Sequence, residues 1–140
     1  MGAWLFCSRV FIIGFVAVFM WRIDNLEVYK KVCALIPRVY VFINGLPAEE
    51  KFELGSQMRR AVVSVKLNFK EGSGKRTSAD FVSYLNNAMG SLKEVVGQIE
   101  TGIDLGFIDE DEGRKEIGEM RRIERLLAGY IGYVKGKSVK

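Results

Sequence analysis

The sequence predicts an all-α protein, an antiparallel up-down-up-down four-helix bundle with an additional apolar N-terminal segment. Three observations point there. Apolar residues recur at steps of three and four along four long stretches, the spacing that gathers them on one side of a helix. Short polar breaks rich in glycine or proline separate these stretches, so that consecutive helices fold back as antiparallel neighbours. Proline is otherwise scarce, with only Pro37 and Pro47 in 140 residues, and long helices are left intact. The length fits one domain. It divides into residues 1–23, an apolar extension, residues 24–135, the bundle, and residues 136–140, a flexible tail.

The extension reads MGAWLFCSRVFIIGFVAVFMWRI, and between Ala3 and Trp21 its single charge is Arg9. Roughly 20 apolar residues span a bilayer. Arg9 would cost about 2.5–3.5 kcal/mol at the centre of such a span and less near an end, where it can snorkel. A signal peptide is a second reading, although the basic start is poor and no clear small-x-small cleavage site precedes Asp24. A third reading places the true start at Met20, which makes the upstream residues dispensable. A fourth is an extra helix buried in a groove of the bundle. The bundle itself is expected in the cytoplasm, or anchored to a membrane if residues 1–23 are an authentic anchor.

The first bundle helix is expected to start at Asp24 or Asn25, either of which can cap free N–H groups. Leu26, Tyr29, Val32, Cys33, Ile36, Tyr40 and Ile43 form its stripe. Pro37 predicts a bend inside it. The alternative is a helix ending at Ile36 followed by a strand over VYVFI. Asn44, Gly45 and Pro47 end the helix. The second starts at or just after Pro47 with Glu49 and Glu50 in its first turn, and Gly55–Ser56 is a candidate interruption with Ser56 as a cap. Met58, Ala61, Val62, Val65 and Phe69 form one apolar side. Val63 and Leu67 broaden it, which suggests more than two neighbours or a subunit interface.

Residues 71–78, EGSGKRTS, are the joint between the second and third helices. Gly72 is placed for a left-handed C-cap, and Thr77 or Ser78 caps the helix that follows, with Asp80 in its first turn. GSGK also invites a phosphate-loop reading, but the full GxxxxGK[ST] pattern is missing and no buried strand precedes it. In the third helix Phe81, Leu85, Ala88, Met89, Leu92, Val95, Val96, Ile99 and Ile103 keep the helical period. Ala88, Gly90 and Ser91 are small enough to admit a close neighbour. The helix ends between Gly102 and Gly106, and Phe107 and Ile108 are expected to pack back. The fourth helix starts after Asp109, with its stripe on Ile117, Met120, Ile123, Leu127, Tyr130, Ile131 and Val134 and with Leu126 beside it. Glu110, Asp111 and Glu112 suit its start, and Lys135 and Lys137 its end.

Histidine is absent, which removes the commonest general base near neutral pH and the commonest metal ligand. Cys7 and Cys33 match no zinc spacing and no disulfide framework; Cys33 reads as a small core residue. A di-metal carboxylate site would need paired Glu-x-x-His motifs. No cofactor and no metal is expected. Glu116 and Glu119 lie three apart on one side, as do Asn68 and Glu71, but carboxylates at such spacing do not make an acid–base pair. With 21 basic and 17 acidic residues the net charge is +4, a mild excess that tolerates an anionic partner without demanding one.

The central stretch carries a family pattern: Leu54, Ser56, Gln57, Met58-Arg59-Arg60-Ala61-Val62, Ser64, Asn68, Glu71-Gly72, then Ser78, Phe81, Leu85, Ala88, Gly90-Ser91-Leu92, Glu94, and Leu105-Gly106-Phe107-Ile108. In this order and spacing it resembles the four-helix bundle proteins encoded within intervening sequences of bacterial 23S ribosomal RNA genes. It is also similar to the accessory protein of diversity-generating retroelements. The resemblance covers about residues 24–135. The chain departs from it at Lys66, Leu67, Phe69 and Lys70 and in the apolar N-terminus. It implies a homo-oligomeric ring, commonly a pentamer, without a catalytic role. It also implies RNA or DNA as a partner for some members, and a reverse transcriptase for the retroelement proteins.

The candidate nucleic-acid-binding residues are Arg59, Arg60, Lys66, Lys70, Lys75 and Arg76, because guanidinium and ammonium groups contact phosphates. The competing reading is that an arginine pairs with Glu71 or Glu94 in an interhelix or intersubunit salt bridge and the lysines are solvated. The chain is therefore expected to be a non-enzymatic homo-oligomeric interaction module that binds structured nucleic acid through this surface, or alternatively a membrane-tethered scaffold.

Overall fold

The computed structural model of the chain describes residues 21–137. The apolar stretch before Trp21 and the last three residues lie outside them, and so do the membrane, signal and start-site readings. Among the described residues, four long helices and one single-turn helix follow in order: α1 Glu27–Gly45, α2 Ala48–Phe52, α3 Leu54–Ser73, α4 Ser78–Asp104 and α5 Glu110–Gly136. No strand occurs among the described residues. The chain runs up and down, with α3 against α4, α4 against α5, and α1 against α3 and more thinly against α5. The core fills the middle with Leu35, Met58, Phe69, Phe81, Leu85, Leu92, Ile99 and Leu127, all essentially inaccessible to solvent. Burying each such side chain stabilises the fold by about 1.5–3 kcal/mol.

The N-terminal caps expected at Asp24 or Asn25 do not form. Helix α1 starts later, with Leu26 as its N-cap and no side-chain cap bond. Ile23 is tucked into the core, its carbonyl accepts the Leu26 N–H at 2.9 Å, and Asp24 is drawn away to Lys70. Packing reaches back to Trp21, whose backbone N–H donates to the Ser73 carbonyl at 2.8 Å and whose ring lies 5.1 Å from that of Phe81. The buried stripe of α1 is rotated from the predicted one. Val28, Leu35 and Val39 go fully inside, while Cys33, Ile36 and Tyr40 are only half-buried. The helix is wedged between α3 and α5, which turns its deepest line toward both. It runs unbroken through Pro37, and the strand alternative over VYVFI is overturned.

The break in the second helix falls at Glu53 (φ −90°, ψ −87°), not at Gly55–Ser56, and Ser56 caps nothing. Gly55 serves close approach instead, since a Cβ there would sit 3.2 Å from Ile43 Cγ2. The joint brings a second correction. Gly72 is not a left-handed cap; it is buried within α3, which ends at Ser73 with Gly74 as its C-cap at φ −87°. A Cβ on Gly72 would stand 2.6 Å from Tyr84 Cβ and 2.8 Å from Phe81 Cδ2, so the glycine is what lets α4 close on α3. Thr77 caps α4 as expected, accepting from the Asp80 N–H at 3.1 Å.

Helix α4 ends in the expected gap. Gly106, the only positive-φ residue among those described (φ 77°), turns the chain, and the Phe107 and Ile108 N–H groups both return to the Gly102 carbonyl, a helix stop of the glycine-terminated kind. Ile108 lies directly over Gly102. Of the small residues in α4, Ala88 is buried and Ser91 bonds Ser64 at 3.0 Å, but Gly90 faces open space. Asp109 caps α5 by accepting the Glu112 N–H at 3.0 Å. The helix continues through Gly136.

Candidate interaction surface

The six basic side chains singled out in the sequence fall into two groups. Lys70 and Lys75 are held within the protomer. The Lys70 ammonium donates to Asp24 Oδ1 at 2.8 Å and stands 5.2 Å from the Tyr29 ring centroid. That hydrogen bond, together with the lysine's charge, lowers the Asp24 carboxyl below its usual range. The same bond is the main cause that raises Lys70. Lys75 lies 5.1 Å from the centre of the Tyr84 ring. These contacts tie the joint to α1 and α4.

Arg59, Arg60, Lys66 and Arg76 make no ion pair with any described residue. Within the chain, no bridge forms from Arg59 or Arg60 to Glu71 or Glu94 among the described residues. Instead the Tyr84 hydroxyl donates to Glu71 at 3.2 Å, and Gln98 donates to Glu94 at 3.5 Å. Arg59 rests 5.8 Å from the Tyr40 ring centroid, a cation–π contact.

Arg59 and Arg60 share an open groove of about 530 Å³ along the outer side of α3 with Tyr40, Val63, Leu67 and Glu71. Leu67 is 56% exposed. From Met58 to Lys70 the helix carries four basic side chains and no acidic one. The far wall is fixed by small polar groups: Asn68 Nδ2 donates to the Ser64 carbonyl at 2.8 Å and to its hydroxyl at 3.0 Å. Arg60 also borders a second depression of about 320 Å³ toward α4, with Gln57, Ser91 and Glu94. Lys66 and Arg76 lie outside both.

Sequence reasoning missed the groove as a unit. Tyr40 falls on the predicted interior stripe, but its half-burial leaves it on the rim. The available signal was Val63 and Leu67, apolar residues outside the period of the core. Among the described residues no three Cys, Asp or Glu side chains gather as metal ligands, and no helix is long and apolar enough to cross a membrane.

Three comparisons bear on this bundle. The family described as 23S rRNA-intervening sequence protein matches residues 24–129. Among solved structures, the chain is similar to a protein of unknown function from the S23 ribosomal protein family of Bacteroides thetaiotaomicron. The two share 25% identity over 74% of this chain and 97% of that one, with a TM-score of 0.69. No curated protein matches.

Proposed function

Because the chain belongs to the 23S rRNA-intervening sequence protein family, we propose that it is a non-enzymatic bundle that works as an interaction module and assembles with copies of itself through the outer side of α3. The observation that carries this reading is the groove at Arg59 and Arg60. It leaves Leu67 exposed over an apolar floor beside two arginines without a carboxylate partner among the described residues. Contiguous exposed apolar surface with a polar rim marks an interaction site, and arginine with aromatic side chains is enriched where interfaces are strongest. The subunit number implied by the family resemblance is five. Light scattering on the full chain tests the reading: a multiple of the single-chain mass supports it, and a monomer across the accessible concentrations overturns it.

A second reading draws on the unpaired charges. Arg59, Arg60, Lys66 and Arg76 are available to phosphates, and the module binds structured RNA through them. The likeness to the retroelement accessory protein adds a reverse transcriptase as the protein partner to try. Binding to an RNA hairpin should weaken steeply with salt, by a slope that counts the phosphates neutralised. Absence of binding at low salt would exclude it.

A further inference from the structure

The bundle is electrically polar along its axis. The end holding residues 44–57 and 100–115 has nine acidic and three basic side chains, whereas the middle of α3 is basic. At the acidic end stands Phe52, which is 84% exposed, the most exposed of the large apolar side chains described. It closes the single turn of α2. Glu49, three positions before it, shares its side of the turn, and Glu53 follows it directly at the non-helical residue that ends the turn. Both carboxylates are exposed and neither has an ion-pair partner among the described residues. The break at Glu53 stops α2 from continuing into α3 and keeps the turn as a separate projection.

We propose that the occupant of the α3 groove is the α2 turn of a second copy of this chain, with Phe52 on the Val63–Leu67 floor and Glu49 and Glu53 facing Arg59 and Arg60. This rests on the self-association reading above and names its two surfaces. The match is of two kinds at once. An unpaired acidic pair meets an unpaired basic pair, where arginine and carboxylate can bond through parallel N–H groups. An exposed aromatic meets an exposed aliphatic floor, the usual form of an anchor in a pocket. The two surfaces differ, so each protomer both gives a turn and receives one. Such a contact propagates until it closes.

The test uses two variants of the full chain. Phe52→Ala removes the anchor, and Arg59→Glu with Arg60→Glu reverses the groove. All three side chains are exposed, so helix content by circular dichroism stays at the wild-type level. Each variant alone weakens self-association about thirtyfold or more. Mixing the two restores one contact, the intact turn of the arginine variant in the intact groove of the Phe52 variant, and yields a two-chain complex. Wild-type assembly with variants that assemble equally well overturns this inference and leaves self-association standing. A monomeric wild type overturns both. Arginine variants that keep their assembly but lose RNA binding assign the groove to a polyanion and also overturn it.

Discussion

The joint end of the bundle and the outer side of α3 are both rich in basic residues, yet they are built for different ends. At the joint most notable groups, Arg76 aside, are answered from within the chain. Lys70 meets Asp24, Lys75 covers Tyr84, Trp21 docks on Ser73 and Phe81, and Gly72 lets two helices touch. Further back along α3, Arg59 and Arg60 sit beside exposed Leu67, and neither forms an ion pair with a carboxylate among the described residues. A run of basic residues in sequence thus mixes charges that close the fold with charges left for a partner. Only their neighbours distinguish the two.

The contrast can be broken most forcefully in the joint-end core. Phe81 is fully buried and touches the rings of both Trp21 and Tyr130. Phe81→Ala should cost about 3–5 kcal/mol in urea unfolding. Gly72→Ala adds one methyl where Tyr84 Cβ already stands, and should cost about 1–3 kcal/mol by the same measurement. If Gly72→Ala is neutral, the close helix approach is not what the glycine serves. On the other side of the contrast, Leu67→Ala should change the stability of the bundle by no more than about 0.5 kcal/mol while reducing self-association. A large loss of stability at low protein concentration would move Leu67 from interface to core.

The smallest effect is expected at the exposed Asp24–Lys70 pair, because surface ion pairs contribute little. Its pH dependence has a defined sign. Asp24 is lowered in the folded state, so its contribution is present above the ordinary carboxylate range and fades as pH falls through the lowered value. Lys70 is raised, so its contribution is full below the ordinary lysine value and is lost as pH rises through the raised one. Asp24→Asn should flatten both limbs of a stability-against-pH curve. Unchanged limbs would show the pair to be idle.

The helices were legible because their apolar periods are long and their breaks carry glycine, proline and capping residues. Thr77, Asp109 and Gly106 acted as their chemistry dictates. What the sequence left open depended on neighbours distant in the chain. Gly72 resembles a helix stop until Phe81 and Tyr84 are placed against it. Asp24 resembles a cap until Lys70, far along the chain, claims it. Tyr40 belongs to a helical stripe, but the rotation of α1 between two partners leaves it on the rim of a groove. The candidate surface was legible only as a cluster of basic residues with two apolar residues out of period. Its division into Lys70 and Lys75, held within the chain, and Arg59, Arg60, Lys66 and Arg76, without an ion pair among the described residues, required the fold.

The central claim is that the outer side of α3 joins one copy of the chain to another. The most direct measurement is the light-scattering mass of the full chain beside that of Arg60→Glu at the same concentration. The account predicts a multiple of 15.8 kDa for the wild type and a fall toward the single-chain mass for the variant. A single-chain mass for the wild type, or the same multiple for both, would contradict it.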